Sequence, residues 1–378
     1  MFRMRKLMGA ALLAAGLAAS GPAASQTEII ASIWFPDSHP LTKFGYLDLV
    51  QPLARASNNE LRLRVITGTA LLPPGAHLSG LRDGIAHMTY HAGTYTPSDL
   101  PEDNVIAVLG IALQDNMVIA AAVSDFYLND PAMKEMFKRN RIVFLGGYAT
   151  PPYILMCRTK IESLSDIRGK RIRMPGAIHA EWARSVGAVP VNVPSTEMFT
   201  GLEKGQLDCA ANAANDLRSR SLWDVAKHVT TIDLGSYFAG WQYAMNAQVW
   251  QRLSAANRRA LLDSISDAIV DTAIGYQAEA DSALAEAPSK GVAVVPPGAD
   301  LQQNLTVFNT TIARDTALRE GTERFRLRDA EGLVKRFEET VARWQGLLQG
   351  VHRKDAASLK RILREHLYGR VDVATHGL

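Results

Sequence analysis

Short apolar runs alternate with helical segments along much of this chain, and a glycine closes one helix after another. Gly80-Leu81-Arg82-Asp83-Gly84-Ile85-Ala86-His87-Met88 and Gly201-Leu202-Glu203-Lys204-Gly205-Gln206-Leu207-Asp208-Cys209 share one form. Each reads as a helix end, a glycine free to take positive φ, and a short strand. Strands that alternate with helices specify an α/β fold. Two such units about 121 residues apart point to two similar lobes.

The remaining punctuation agrees. Residues 29–35 predict a strand with Trp34 near its carboxyl end, stopped by Pro36-Asp37-Ser38. Residues 42–56 place Leu47, Val50, Leu53 and Ala54 on one helical face. Leu61, Leu63 and Val65 alternate with Arg62 and Arg64, the pattern of a half-exposed strand. A second series opens near Thr150-Pro151-Pro152. It holds strand 153–158, a capped turn at Ser163-Leu164-Ser165-Asp166, strand 170–174, helix 178–186, strand 189–193 and a helix opened by Pro194-Ser195. From Ser254 onward Leu261, Leu262, Ile265, Ile269, Ala273 and Tyr276 recur at helical spacing with no proline before Pro288. That predicts roughly 30 residues of helix, long enough to run across both lobes. Residues 330–348, behind a charged stretch without a cap, and 356–366 predict two more helices, and 371–378 a tail.

Arg3, Arg5 and Lys6 precede the apolar run 7–19, which ends in small residues at Ala23-Ala24-Ser25. This is the order of a secretory leader cut after Ser25. The run is shorter than the ~20 residues of a membrane span, and no later stretch reaches ~18 uncharged apolar residues. A soluble exported protein is therefore expected. The leader accounts for the whole formal net charge of +3. A balanced remainder argues against a nucleic-acid surface built on bulk charge. Cys157 and Cys209 cannot form a CxxC pair or a cysteine metal cluster. Export permits a bond between them without requiring it, and two separate buried thiols on strands are the other arrangement.

No G-x-S-x-G, H-E-x-x-H, P-loop or G-x-G-x-x-G occurs. His87 and His91 sit on a strand and its exit, so they do not read as metal ligands, and nothing calls for a cofactor. Without a nucleophile–base pair no catalytic residue is named and no enzyme is expected. What remains is an anion site. In Lys170-Arg171-Ile172-Arg173-Met174-Pro175-Gly176, Arg171 and Arg173 point to one side of a strand. Arg173 lies at the strand's carboxyl end beside the next helix N-terminus, where amides and a guanidinium fork favour a carboxylate. Two solvated edge-strand arginines are the competing arrangement. Asn212 closes the following strand and is placed to donate its amide to the same ligand. Trp34, Tyr90, Tyr95, Phe238, Trp241 and Tyr243 form an aromatic set suited to a half-apolar ligand body.

These residues, in this order, resemble the extracytoplasmic solute receptors of tripartite ATP-independent periplasmic (TRAP) transporters, the dicarboxylate-binding-protein type. The resemblance is carried by Leu164-Ser165-Asp166-Ile167-Arg168-Gly169-Lys170-Arg171-Ile172-Arg173-Met174-Pro175-Gly176, Gly187-Ala188-Val189-Pro190-Val191, Phe199, Gly205-Gln206-Leu207-Asp208 and Asn212, with His39-Pro40, Gly84 and His87 in support. Cys209 departs from the usual glycine, Ala211 from a frequent polar residue, and no second cleft arginine stands near Tyr153. The resemblance implies an α/β, two-lobed periplasmic-binding-protein fold with a cleft between lobes and a long helix spanning both. It places the carboxylate-binding arginine at Arg173 and the partner asparagine at Asn212. Trp34, Tyr90, Trp241 and Phe238 complete the expected ligand site.

The expected layout is a leader at 1–25, a first lobe of 26–149 plus 239–277, a second of 150–238 plus 278–330, and C-terminal helices at 331–370. The expected function is capture of an organic acid in the periplasm and delivery, by hinge closure, to the small and large subunits of a membrane permease. A monomer without nucleic-acid partners is expected. A ligand-sensing receptor for a signalling system and a secreted hydrolase are the alternatives.

Overall fold

The computed structural model describes residues 26–378, so the leader expected at 1–25 lies outside them. Among these residues the strands are β1 (Thr27–Ile33), β2 (Leu61–Thr67), β3 (Met88–Ala92), β4 (Ile142–Gly146), β5 (Ile154–Cys157), β6 (Arg171–Arg173), β7 (Val189–Val191), β8 (Cys209–Asn212), β9 (His228–Thr230), β10 (Gly240–Asn246) and β11 (Ala293–Val295). They form two sheets, ordered β2-β1-β3-β10-β4 and β11-β9-β5-β8-β6-β7.

Each sheet contains one reversed strand. In the first, β10 is antiparallel to both β3 and β4. In the second, β5 is antiparallel to both β8 and β9. These are the two strands fed directly by chain that has just crossed from the other sheet. The crossing segments lie side by side: Thr150 N donates to Tyr237 O (3.0 Å), Tyr153 N to Gly235 O (2.8 Å) and Leu234 N to Tyr153 O (2.9 Å). A strand entered from the cleft runs away from it, whereas the other strands end at it. The carboxyl ends of β1, β3, β6 and β8 therefore face one another across the junction, where α/β sheets bind ligands.

A 32-residue helix, Ala255–Glu286, ties the halves together; at 1.5 Å per residue it spans about 48 Å. Ser254 caps it by accepting from Asn257 N. Its Leu261, Leu262, Ile265, Ile269 and Ala273 join the core around the first sheet. Its Ala280 and Ala283 enter the separate cluster of Met156, Met198, Leu202 and Val229 in the second lobe. No helix of the described residues is long and apolar enough to cross a membrane.

Several expectations are corrected by packing. The helical segment expected at 42–56 starts at Pro40, capped by His39 Nδ1 accepting from Leu41 N, and passes through a π-turn at Lys43–Leu47 before Val50–Ala56. The helix Ala330–Leu347 does have a cap: Asp329 accepts from Gly332 N. The final residues are docked, with Trp250 Nε1 donating to His376 O (2.7 Å) and Arg258 Nη1 to Val373 O (3.1 Å). Residues 299–319, expected with the second lobe, touch both: Leu164 N donates to Asp300 Oδ2 (2.9 Å) in the second, and Asn309 Nδ2 donates to Ile111 O (3.2 Å) in the first. Cys157 and Cys209 are joined in a disulfide. They are direct partners in the β5–β8 ladder, so both side chains stand on the same face.

Candidate functional site

A narrow cavity lies where the two sheets meet, lined from both of them. The first lobe contributes Trp34 and Phe35 beyond β1, His39, Tyr90 from β3, and Tyr95 in the turn after β3. The second contributes Arg173 at the end of β6, Asn212 at the end of β8, and Ser195. Thr150, Tyr153 and Tyr237 come from the crossing segments and Tyr276 from the long helix. A larger groove between residues 127–144 and 370–378 takes no residue from the second lobe.

Arg173 is 2% exposed. It is not on an edge, because β6 lies between β8 and β7. Its Nε donates to Val193 O (3.2 Å), its Nη1 to Ala211 O (3.0 Å) and its Nη2 to the Tyr95 hydroxyl (3.4 Å). These leave one N–H on each terminal nitrogen, the fork that takes a carboxylate. Among the described residues no carboxylate lies within 4.0 Å of it. Arg171, by contrast, is exposed and pairs with Asp208 (3.3 Å). A buried cation without a counter-ion is expensive unless an anion arrives.

Two local features hold Arg173 in place. Pro175 stops β6, and Gly176 opens the helix Gly176–Ser185 at φ +76°, where a Cβ would meet Thr94 Cγ2 at 2.9 Å. The turn of Thr94 and Tyr95 thus presses directly on the second lobe. Tyr95 accepts from Ser195 N (3.0 Å) as well as from Arg173, and Thr94 Oγ1 bonds the Tyr237 hydroxyl (2.7 Å).

Asn212 lines the same cavity, but its amide nitrogen is engaged. Nδ2 donates to Asp216 Oδ2 (2.6 Å) and approaches Met198 Sδ (3.7 Å). One N–H of the amide that was expected to donate to a ligand thus serves a carboxylate of the protein. Asp216 also accepts from Arg220 Nε (3.0 Å), while Arg220 Nη2 reaches Ser195 Oγ (3.0 Å) and its guanidinium lies 5.0 Å from the Phe35 ring centre. This Asp216–Arg220 pair, four residues apart, was visible as a helical ion-pair spacing. Its reach to Phe35 and Ser195 was not.

Trp34 and Tyr90 stand where the sequence put them, packed edge to face at 4.7 Å. Tyr90 donates to the Tyr148 hydroxyl (2.7 Å), which turns its ring to the cavity. Trp241 and Phe238 do not belong to the cavity. Trp241 is fully buried, with Nε1 donating to Thr89 Oγ1 (3.3 Å) and its ring against His91 and Phe137. Phe238 packs on Phe337 and Gly110. Trp241 lies in the core because β10 is buried on both faces, and Phe238, just before β10, is buried in the same core. His39 stacks on Phe35 at 3.9 Å, and burial pulls its pKa down to about 3. Since its Nδ1 accepts from Leu41 N, the single proton sits on Nε2, 3.6 Å from Asp216 Oδ1. Among the described residues no cluster of three or more His, Cys, Asp or Glu could hold a metal ion.

The model of the bacterial extracellular solute-binding protein family 7 matches residues 30–315. An uncharacterized protein of Haemophilus influenzae is 22% identical over 254 residues, 66% of this chain and 74% of that protein. Other curated relatives are matched over 54% and 57% of their length. The fold is that of an extracytoplasmic solute receptor of Bordetella pertussis that binds pyroglutamic acid (TM-score 0.70, 19% identity, 82% of this chain and 99% of that one). It is equally that of a TRAP periplasmic solute-binding protein of Bordetella bronchiseptica with bound mandelate (TM-score 0.72, 20% identity, 84% and 99%).

Proposed function

The chain belongs to the bacterial extracellular solute-binding protein family 7, and on that premise we propose that it captures a small cyclic or aromatic carboxylate between its lobes for delivery to a TRAP permease. One observation carries the choice of ligand: Arg173 is a buried guanidinium with two unused N–H groups facing a cavity, and no acidic side chain of the described residues pairs with it. An incoming carboxylate supplies the missing charge. The walls of Trp34, Phe35, Tyr90 and Tyr153 suit a flat apolar body, and the narrowness of the cavity favours a small ligand over a sugar chain. The solved structures of similar fold that hold pyroglutamic acid and mandelate support a ligand of this size and charge.

In this reading Arg173, Asn212, Trp34 and Tyr90 are ligand contacts, and Tyr95 and Ser195 are added to them. The lobes divide near 149/150 and 238/239, where the crossing segments pair, with 331–370 packed on the first lobe. The ligand bridges the lobes and favours the closed form by its greater affinity for it. The leader supports a periplasmic location, and small and large membrane subunits are the receivers of a monomeric receptor. No chemistry at the site is required, in keeping with relatives that are receptors rather than enzymes.

The test is a thermal-shift screen of organic acids followed by titration calorimetry. Ligand at a hundredfold excess over Kd adds about 2.7 kcal/mol to native stability. Monocyclic carboxylates should raise the melting temperature while their amides and methyl esters do not. Stabilisation by neutral sugars and not by acids would overturn the reading.

A further inference from the structure

Asn212 turns its oxygen, not its nitrogen, toward the cavity. An ionised carboxylate only accepts hydrogen bonds, so the 2.6 Å contact with Asp216 Oδ2 requires Asn212 Nδ2 to be the donor. Asp216 is itself immobilised. Its Oδ2 also accepts from Arg220 Nε (3.0 Å), and its Oδ1 from Asn215 Nδ2 (3.0 Å) and Ser219 Oγ (2.7 Å). Turning the Asn212 amide over would set its oxygen against this carboxylate and lose a charge-assisted bond. Asn212 Oδ1 meets no donor among the described residues, and it is not one of the polar atoms sealed away without a partner. Since Asn212 lines the cavity, that oxygen is an acceptor awaiting a donor.

The acceptor stands next to the anion fork. Arg173 Nη1 is bonded to Ala211 O, the carbonyl immediately before Asn212. Both residues line the same cavity, so a ligand held by its carboxylate on Arg173 shares that space with Asn212. Resting on the carboxylate reading above, we propose that the ligand carries an O–H or N–H donor beside its carboxylate, and that Asn212, oriented by Asp216, selects such acids over plain acids of the same shape. An acid without the donor leaves Oδ1 desolvated and unpaired, the arrangement that hydrogen-bonding sites reject most strongly.

Titration calorimetry with two pairs of acids tests this: mandelate against phenylacetate, and pyroglutamate against cyclopentanecarboxylate. In the wild-type protein the member with the donor should bind about tenfold more tightly in at least one pair. In Asn212→Ala the ratio should collapse to within about twofold while the plain acid keeps its affinity. The wild-type ratio decides even if Asn212→Ala does not fold. Plain acids that bind as tightly as their donor-bearing partners, or a ratio that survives in Asn212→Ala, would overturn the proposal and leave the carboxylate site standing. Failure of all four acids at millimolar concentration would overturn the carboxylate site and this inference together.

Discussion

The two lobes bring the same backbone device to the cleft and load it differently. Gly84 (φ +77°) and Gly205 (φ +67°) each end a short helix, and the strand that follows each ends at the cavity. In the first lobe that strand delivers Tyr90, joined by Trp34, Phe35 and His39. Its buried imidazoles are kept neutral, with His39 and His91 drawn down to about 3 and His77 to about 4 by burial. In the second lobe the strand delivers Asn212, beside the buried Arg173 and the Asp216–Arg220 pair. The first wall is neutral and flat, and the second carries the charge. In the proposed reading, a similar backbone device in both halves presents a flat neutral wall on one side and an anion-binding wall on the other.

Removing the charge is the hardest blow to this division. Arg173→Ala should weaken acid binding by about 2–5 kcal/mol, the usual loss when one member of a buried ion pair is truncated. Arg173→Lys keeps the charge and loses the fork, so it should still lose about tenfold. Titration calorimetry measures both. The unliganded protein should respond oppositely: Arg173 is a buried cation without a carboxylate partner, so Arg173→Met should raise the melting temperature of the apo form. Unchanged affinity in Arg173→Ala and Arg173→Lys would remove the charged wall from the site.

The second lobe alone is cross-linked. The Cys157–Cys209 bond closes 52 residues, for which chain entropy gives about 4 kcal/mol. The double variant Cys157→Ala/Cys209→Ala should lose roughly that much in urea unfolding. Amide exchange should accelerate in β5, β6 and β8 and stay slow in β1, β3 and β10. Equal acceleration in both sheets would show that the lobes unfold as one unit.

Acid should attack the other half. At pH 5 the folded protein keeps His39, His77 and His91 neutral, whereas the unfolded chain protonates each below about 6.5. Asp103 opposes them, since burial pushes it up to about 7 and the folded state holds a proton that the unfolded chain has released. His179 of the second lobe, drawn down to about 4 by burial, behaves like the three histidines, so unfolding takes up four protons on imidazole and gives back one from Asp103. Net uptake means that stability falls as pH falls, by roughly 3–4 kcal/mol per pH unit between about pH 6 and 5. Urea midpoints at pH 7, 6 and 5 measure the slope. Of these groups only His179 lies in the second lobe, so a flat profile would refute the neutral character assigned to the first wall.

Much of this was legible in the sequence, for a physical reason in each case. Glycine at helix ends and apolar spacing report local backbone geometry, so the strand–helix alternation and the helix at 255–286 could be read directly. The strand ends that carry Arg173 and Asn212 were readable because Pro175 and the turn after Asn212 fix them, while the ligand role of each came from the family resemblance. The aromatic wall was not. Trp34 and Trp241 look alike in sequence, and β10 is buried on both faces, so no polar alternation tells which aromatic ring meets the cleft and which meets the core. The cysteine pairing depends on the register of β5 against β8, which only the assembled sheet supplies. The orientation of the Asn212 amide depends on Asp216, and the role of Tyr95 depends on a lobe 100 residues away.

That last contact yields the smallest effect and the sharpest test of how the walls cooperate. The Tyr95 hydroxyl leaves the neutral wall and accepts from two groups of the charged one, Ser195 N at 3.0 Å and Arg173 Nη2 at 3.4 Å. In the proposed reading this hydroxyl would align the guanidinium for the ligand and tie the lobes together when they close. Tyr95→Phe keeps the ring and its packing on Trp34 at 5.7 Å. It leaves the Ser195 amide without that acceptor, and one such hydrogen bond is worth about 1 kcal/mol. If the bond exists only when the lobes are closed, the loss falls on the closed state alone. Affinity should then drop roughly fivefold, mostly through faster dissociation, and small-angle scattering should find the apo protein more open. Stopped-flow fluorescence of the cleft tryptophan separates the two rates. A drop confined to association, with an unchanged off-rate, would mean that Tyr95 shapes the entrance and does not hold the lobes together.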